Sequence, residues 1–108
     1  MRALYKAPDS TKFHQILVPN DLHTLQELVG GGYIETVTAR TDPKVVLICN
    51  EEGIPKGLPY NCIIACGDDK GKFDCPFYGP ILLVGAEGDE FTDVPISVVM
   101  ANKMIVEG

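Results

Sequence analysis

Two uninterrupted apolar runs, Val45-Val46-Leu47-Ile48-Cys49 and Ile81-Leu82-Leu83-Val84-Gly85-Ala86, constrain this chain most. A strand with one face in water alternates apolar and polar residues. A run that is apolar at every position fits a strand covered on both faces. Lys44–Asn50 and Ile81–Gly85 are therefore predicted as core strands. Both runs are far shorter than the ~20 residues of a membrane-spanning helix.

The remaining elements follow from turn and capping signals. Arg2–Ala7 reads as a strand ended by the turn Pro8-Asp9-Ser10, and Lys12–Val18 as a second strand closing a hairpin with it. Asn20 or Asp21 caps a short helix through Val29, with Leu22, Leu25, Leu28 and Val29 on one stripe. Gly30-Gly31-Gly32 stops that helix, because glycine tolerates the left-handed C-terminal cap. Tyr33–Ala39 is a strand rich in β-branched residues, followed by the turn Arg40-Thr41-Asp42-Pro43. Glu51–Asn61 carries Gly53, Pro55, Gly57 and Pro59 and is predicted as a long irregular loop.

Asn61–Cys66 is compatible with a helical turn or a short strand. Gly67–Gly71 is a polar turn, and Lys72–Cys75 pairs with whichever strand lies beside it. Glu87–Asp93 reads as an acidic loop. A last helix is expected from Thr92 or Asp93, with Pro95 in its first turn and Val94, Val98, Ala101 and Ile105 on one face. Helices and strands do not alternate, so the expected fold is a single α+β domain over residues 1–108: a mainly antiparallel sheet with two helices. A chain of 108 residues, 45% hydrophobic, buries roughly 65% of its unfolded surface and needs no staple.

Composition also excludes functions. Nine basic and fifteen acidic residues give a net charge of −6. That argues against duplex nucleic acid, which needs several Lys or Arg on phosphates, and against an anionic membrane surface. The N-terminus, Met1-Arg2-Ala3-Leu4-Tyr5-Lys6-Ala7-Pro8, has no apolar signal segment, so a cytoplasmic location is expected. Cys49, Cys62, Cys66 and Cys75 are then expected as thiols. Their spacing lacks the paired knuckles of structural zinc, and His14 and His23 lie far upstream, so no metal is expected.

No motif for catalysis stands out. Glu51-Glu52 reads as a solvated pair before an acid–base pair. Gly30-Gly31-Gly32 lacks the lysine and the serine or threonine of a phosphate loop, and neither Ser10 nor Ser97 sits in a nucleophile elbow. The chain is therefore not expected to be an enzyme or to carry a cofactor. The most informative stretch is Asn50–Asn61. Asn50 and Asn61 offer donor and acceptor edges, Tyr60 offers a stacking face, and Pro59 lies beside it. Tyr78 belongs to a second aromatic group with Phe73 and Phe77. Arg40, in a turn, is a candidate phosphate contact, or a surface charge at a strand end.

Read in order, the helix Leu22–Val29 with its exit Gly30-Gly31-Gly32-Tyr33-Ile34-Glu35, the segment Val45–Gly53, Gly57-Leu58-Pro59-Tyr60-Asn61, the segment Tyr78–Gly85 and Phe91-Thr92-Asp93 resemble a family of small proteins catalogued as domain of unknown function 3846. The cysteine-bearing stretch Asn61–Cys75 departs from that pattern. The resemblance carries over no catalytic residue. It implies a setting in bacteriophages and their mostly Gram-positive hosts, where small acidic proteins of this kind act by binding.

Two binding roles are open. In the first, the protein is a non-enzymatic anti-defence protein that sequesters a small nucleotide immune signal, such as a cyclic dinucleotide, in pockets between protomers. Its ligand-binding residues would be Arg40, Asn50, Pro59, Tyr60, Asn61 and Tyr78. In the second, it is an acidic inhibitor that binds a host defence or restriction protein through Glu87–Asp93. A nucleotide hydrolase using Glu51 or Glu52 is a third reading. Met100, Met104 and Ile105 lie beyond the apolar stripe of the last helix and suggest a homo-oligomer interface, or packing on the sheet.

Overall fold

A computed structural model describes residues 1–40, 43–68 and 70–108. Thr41 and Asp42 of the predicted turn after Arg40, and Asp69 of the predicted polar turn, lie outside the described residues. The larger sheet has the order β2-β1-β7-β4-β3, formed by β1 (Arg2–Lys6), β2 (His14–Leu17), β3 (Ile34–Thr38), β4 (Val46–Asn50) and β7 (Ile81–Glu87), with β8 (Glu90–Thr92) added to β7. The smaller sheet has the order β6-β5-β9, formed by β5 (Tyr60–Asp68), β6 (Gly71–Tyr78) and β9 (Ile105–Glu107). All these pairings are antiparallel, and the protein is an α+β domain dominated by sheet.

The two apolar runs become β4 and β7, side by side in the larger sheet. Period-two alternation divides their residues between two cores. Val46, Ile48, Leu82 and Val84 point to one face, where Leu25 and Val29 of the first helix segment cover them. Leu47, Cys49, Ile81 and Leu83 point to the other, where Cys62, Ile64, Cys66 and Phe77 of the smaller sheet and Ala101 and Met104 cover them. Each fully buried Leu, Ile or Val stabilises the fold by about 1.5–3 kcal/mol, so these two strands carry much of it.

Helix α1 (Leu22–Leu28) starts at the Asp21 cap, whose Oδ1 accepts from Thr24 N at 2.9 Å. Those Thr24 hydrogen bonds hold the Asp21 carboxyl below its ordinary value. Leu22, expected on the apolar stripe, is instead 58% exposed at the helix start. The tri-glycine turn ends α1 with φ of 104°, 87° and 88° in succession. The ambiguous stretch Asn61–Cys66 is a strand, because Cys62, Ile64 and Cys66 alternate into the core.

Three expectations need correction at the C-terminal side. The acidic loop is a hairpin in which Glu87 faces Glu90 across Gly88 and Asp89. The last helix, α2 (Val98–Lys103), begins at the Ser97 cap, not at Thr92 or Asp93. Thr92 pairs with Gly85 as the last residue of β8, and Asp93 just beyond it accepts at Oδ1 from Arg2 N at 2.7 Å, so Thr92 belongs to the sheet and Asp93 is tied to its edge. Ile105, read as helical, opens the edge strand β9. Among the described residues, no helix is long and apolar enough to cross a membrane.

Candidate functional site

Two of the predicted ligand contacts serve the scaffold. Asn50, 6% exposed, donates from Nδ2 to Val29 O at 3.1 Å and Gly31 O at 2.6 Å, and its Oδ1 accepts from Glu52 N at 2.8 Å. It ties the end of β4 to the tri-glycine turn. Asn61, 3% exposed, donates from Nδ2 to Lys6 O at 3.0 Å and Gly79 O at 2.9 Å, and its Oδ1 accepts from Lys6 Nζ at 2.6 Å. With both amide hydrogens and the carbonyl of each group occupied, neither presents an edge to a ligand. The expectation that they read bases is corrected accordingly.

Arg40 is held elsewhere. Its Nε donates to Cys66 O at 3.0 Å, and its guanidinium pairs with Asp74 at 3.7 Å. Cys66 lies six positions along β5 from Tyr60, roughly 20 Å away at strand rise. The structure therefore does not bring Arg40 to the tyrosines. Tyr60 and Tyr78 do meet, as register partners on β5 and β6, with ring centroids 5.7 Å apart at 69°. This edge-to-face contact covers part of the surface a base would use. The Tyr60 hydroxyl donates to Glu107 O at 3.5 Å. Partial removal from water, and then the Glu107 carboxylate, raise the phenol above its ordinary 10.0. Pro59 is exposed beside them.

The loop between β4 and β5 does border concave surface, and its Lys56 reaches toward a second concavity at the tri-glycine turn. A cleft of about 200 Å³ opens where the two sheets diverge, walled by Glu35 and Val37 of β3, Cys49 and Asn50 of β4, and Cys75 to Tyr78 of β6. Glu51, Gly53, Ile54 and Pro55 roof it. Gly53 makes this closure possible: a Cβ there would stand 2.8 Å from Tyr78 O. Among the described residues no Lys or Arg lines the cleft, whereas Glu35 and Glu51 are both exposed at it. Burial, and then Glu35, push the Cys49 thiol up to about 12; the same two causes raise Cys75. These thiols are neutral at physiological pH and behave as small apolar groups. Among the described residues, no group of three or more His, Cys, Asp or Glu is placed to hold a metal ion.

Beside the tri-glycine turn lies an open hollow of about 480 Å³, lined by His23, Gln26, Glu27, Gly31, Gly32 and Tyr33. Lys56 reaches its edge from the loop and donates to Gly31 O at 2.8 Å. His23 Nε2 lies 2.8 Å from Glu27 Oε1 in an exposed pair one helical turn apart. Glu35, Gln26, Tyr33 and Lys56 carry no functional motif in the sequence. The only signal for Tyr33 and Lys56 was their place beside glycines, which by itself marks a turn.

Fold and surface together define a class: a small antiparallel α+β domain with one solvent-facing concavity under a glycine- and proline-rich loop and another beside a tri-glycine turn. Within that class, the family model described as domain of unknown function (DUF3846) matches residues 1–104, and the chain belongs to this family. No curated protein and no solved structure matches the chain.

Proposed function

We propose that this protein works by binding, as an acidic, non-enzymatic inhibitor of a host defence or restriction protein. One observation carries the reading: the inter-sheet cleft has carboxylates at Glu35 and Glu51, an apolar lining from Val37, Pro76 and Phe77, and no Lys or Arg among the described residues. At about 200 Å³ it is smaller than the ~300–1,000 Å³ typical of small-molecule pockets. It suits one long side chain of a partner, a lysine or arginine whose methylenes take the apolar wall while its charge meets the rim. A net charge of −6 adds long-range attraction toward a basic partner.

The test is affinity capture from host extract, followed by calorimetry with the purified captured protein. Glu35→Lys/Glu51→Lys is expected to weaken that complex at least about tenfold, and raised salt to weaken it further. An unchanged affinity in the charge-reversed variant would remove the cleft from the reading. Sequestration of a small nucleotide signal remains a second reading on a different observation. The hollow beside the tri-glycine turn has an exposed aromatic ring and a cation close together, whereas Arg40 is held at Cys66 and Asp74, away from the tyrosines.

A further inference from the structure

We infer that the hollow between α1, the tri-glycine turn and the loop is a binding site for a nucleoside monophosphate unit, free or within a cyclic dinucleotide, held by Tyr33, Gln26 and Lys56. The inference stands apart from the protein-partner reading and gives the nucleotide reading a location other than the residues first expected.

Four observations carry it. First, Tyr33 is 67% exposed at the lip of the hollow. A tyrosine ring left in water beside a concave surface is a stacking platform, and base–aromatic stacking is worth about 1–3 kcal/mol per base. Second, Lys56 has no carboxylate partner among the described residues, and its one hydrogen bond, to Gly31 O, fixes the ammonium at the edge of the hollow. Two of its three donors stay open for a phosphate. Third, the wall between ring and ammonium is bare backbone. A side chain at Gly32 would collide with the Lys56 ammonium, and one at Gly31 would project into open space. Positive φ at both keeps that wall glycine. Fourth, the half-buried Gln26 amide has no hydrogen-bond partner among the described residues and can pair with a base edge.

Charge orients the ligand. Glu27 stands on the α1 side beside His23, so a phosphate is excluded there and drawn to Lys56 across the turn. The base then lies on Tyr33 within reach of Gln26. The volume, about 480 Å³, accommodates one nucleotide. A cyclic dinucleotide would leave its second half exposed.

Isothermal titration of the whole protein with AMP, GMP, cyclic di-AMP, cyclic di-GMP and inorganic phosphate tests the site. Saturable binding of at least one nucleotide, without binding of inorganic phosphate, is expected. Tyr33→Ser and Lys56→Gln should each weaken it at least about tenfold, while Tyr60→Ser and Glu35→Lys leave it unchanged. Both changed residues are exposed, so an unchanged melting temperature will show that the fold is intact. Nucleotide binding that persists undiminished in Tyr33→Ser and Lys56→Gln would overturn this location while keeping the nucleotide reading. No binding of any nucleotide would overturn both.

Discussion

At the residue scale, the most consequential contact is one the sequence hides. Lys6 is 1% exposed and its ammonium has a single acceptor among the described residues, Asn61 Oδ1. Asn61→Ala leaves that buried cation without a partner. It is expected to cost about 3 kcal/mol or more in urea unfolding. Lys6→Met, which removes the charge and orphans only a neutral carbonyl, should cost clearly less, about 1 kcal/mol. The reverse order would show that the Lys6–Asn61 pair does not clamp β1 to β5. The thiols make a second prediction. Burial pushes both Cys49 and Cys66 up to about 12, from 9.0 in the unfolded chain. The folded state therefore holds protons that the unfolded state releases above pH 9. Stability from these groups is complete below pH 9 and falls as pH rises toward 12, by up to about 1.4 kcal/mol per pH unit for each thiol. Urea midpoints between pH 8 and 10.5 will show the decline, and Cys49→Ala/Cys66→Ala should flatten it.

At the element scale, the loop between β4 and β5 is the feature that ties fold to function. Asn50 fixes its start, Gly53 lets it lie on β6, and Lys56 and Leu58 turn toward the tri-glycine wall. Gly53→Ala places a methyl 2.8 Å from Tyr78 O, so backbone must move. A loss of about 2 kcal/mol is expected, with amide shifts along Glu51–Pro55 and Tyr78 in NMR spectra. Shifts confined to residue 53 would mean that the loop is not seated as described. The hairpin β7–β8 shows how pairing overrides a local signal. Four carboxylates between Glu87 and Asp93 read as a solvated loop. Yet Ala86 and Phe91 pair across it, and Asp93 is drawn to the start of β1.

At the scale of the whole molecule, three exposed apolar residues lie near the C-terminus. Val99 and Met100 on α2 and Val106 on β9 are 65%, 46% and 53% exposed, while Met104 is buried. Of the expected interface residues Met100, Met104 and Ile105, Met104 is buried and Ile105 packs against the core; a homo-oligomer joined through Val99 and Met100 should dissociate in Val99→Glu/Met100→Lys, as judged by light scattering at several concentrations. A species of unchanged mass in that variant would exclude this face. The distribution of charge bears on partners in the same way. Lys6 is enclosed in the core and Arg40 is paired with Asp74, so neither is free to meet phosphates. Lys56 instead sits against Gly31 and Gly32, which line the hollow.

The centre of this protein is legible in the order of its amino acids alone. Runs apolar at every position required β4 and β7 to be covered on both faces, and glycines at 30–32 required α1 to stop. Both are local consequences of burial and backbone sterics. What the polar residues do follows from contacts made across the folded chain. Asn61 reads in sequence as an available amide, but three groups from Lys6 and Gly79, 55 and 18 residues away, converge on it. Tyr33 reads as the first residue of a strand, but becomes the lip of a hollow because α1 and the loop after β4 pack on either side of the glycine turn. An apolar residue's fate follows from its own hydrophobicity and spacing. A polar residue's fate depends on which distant partners the fold delivers to it.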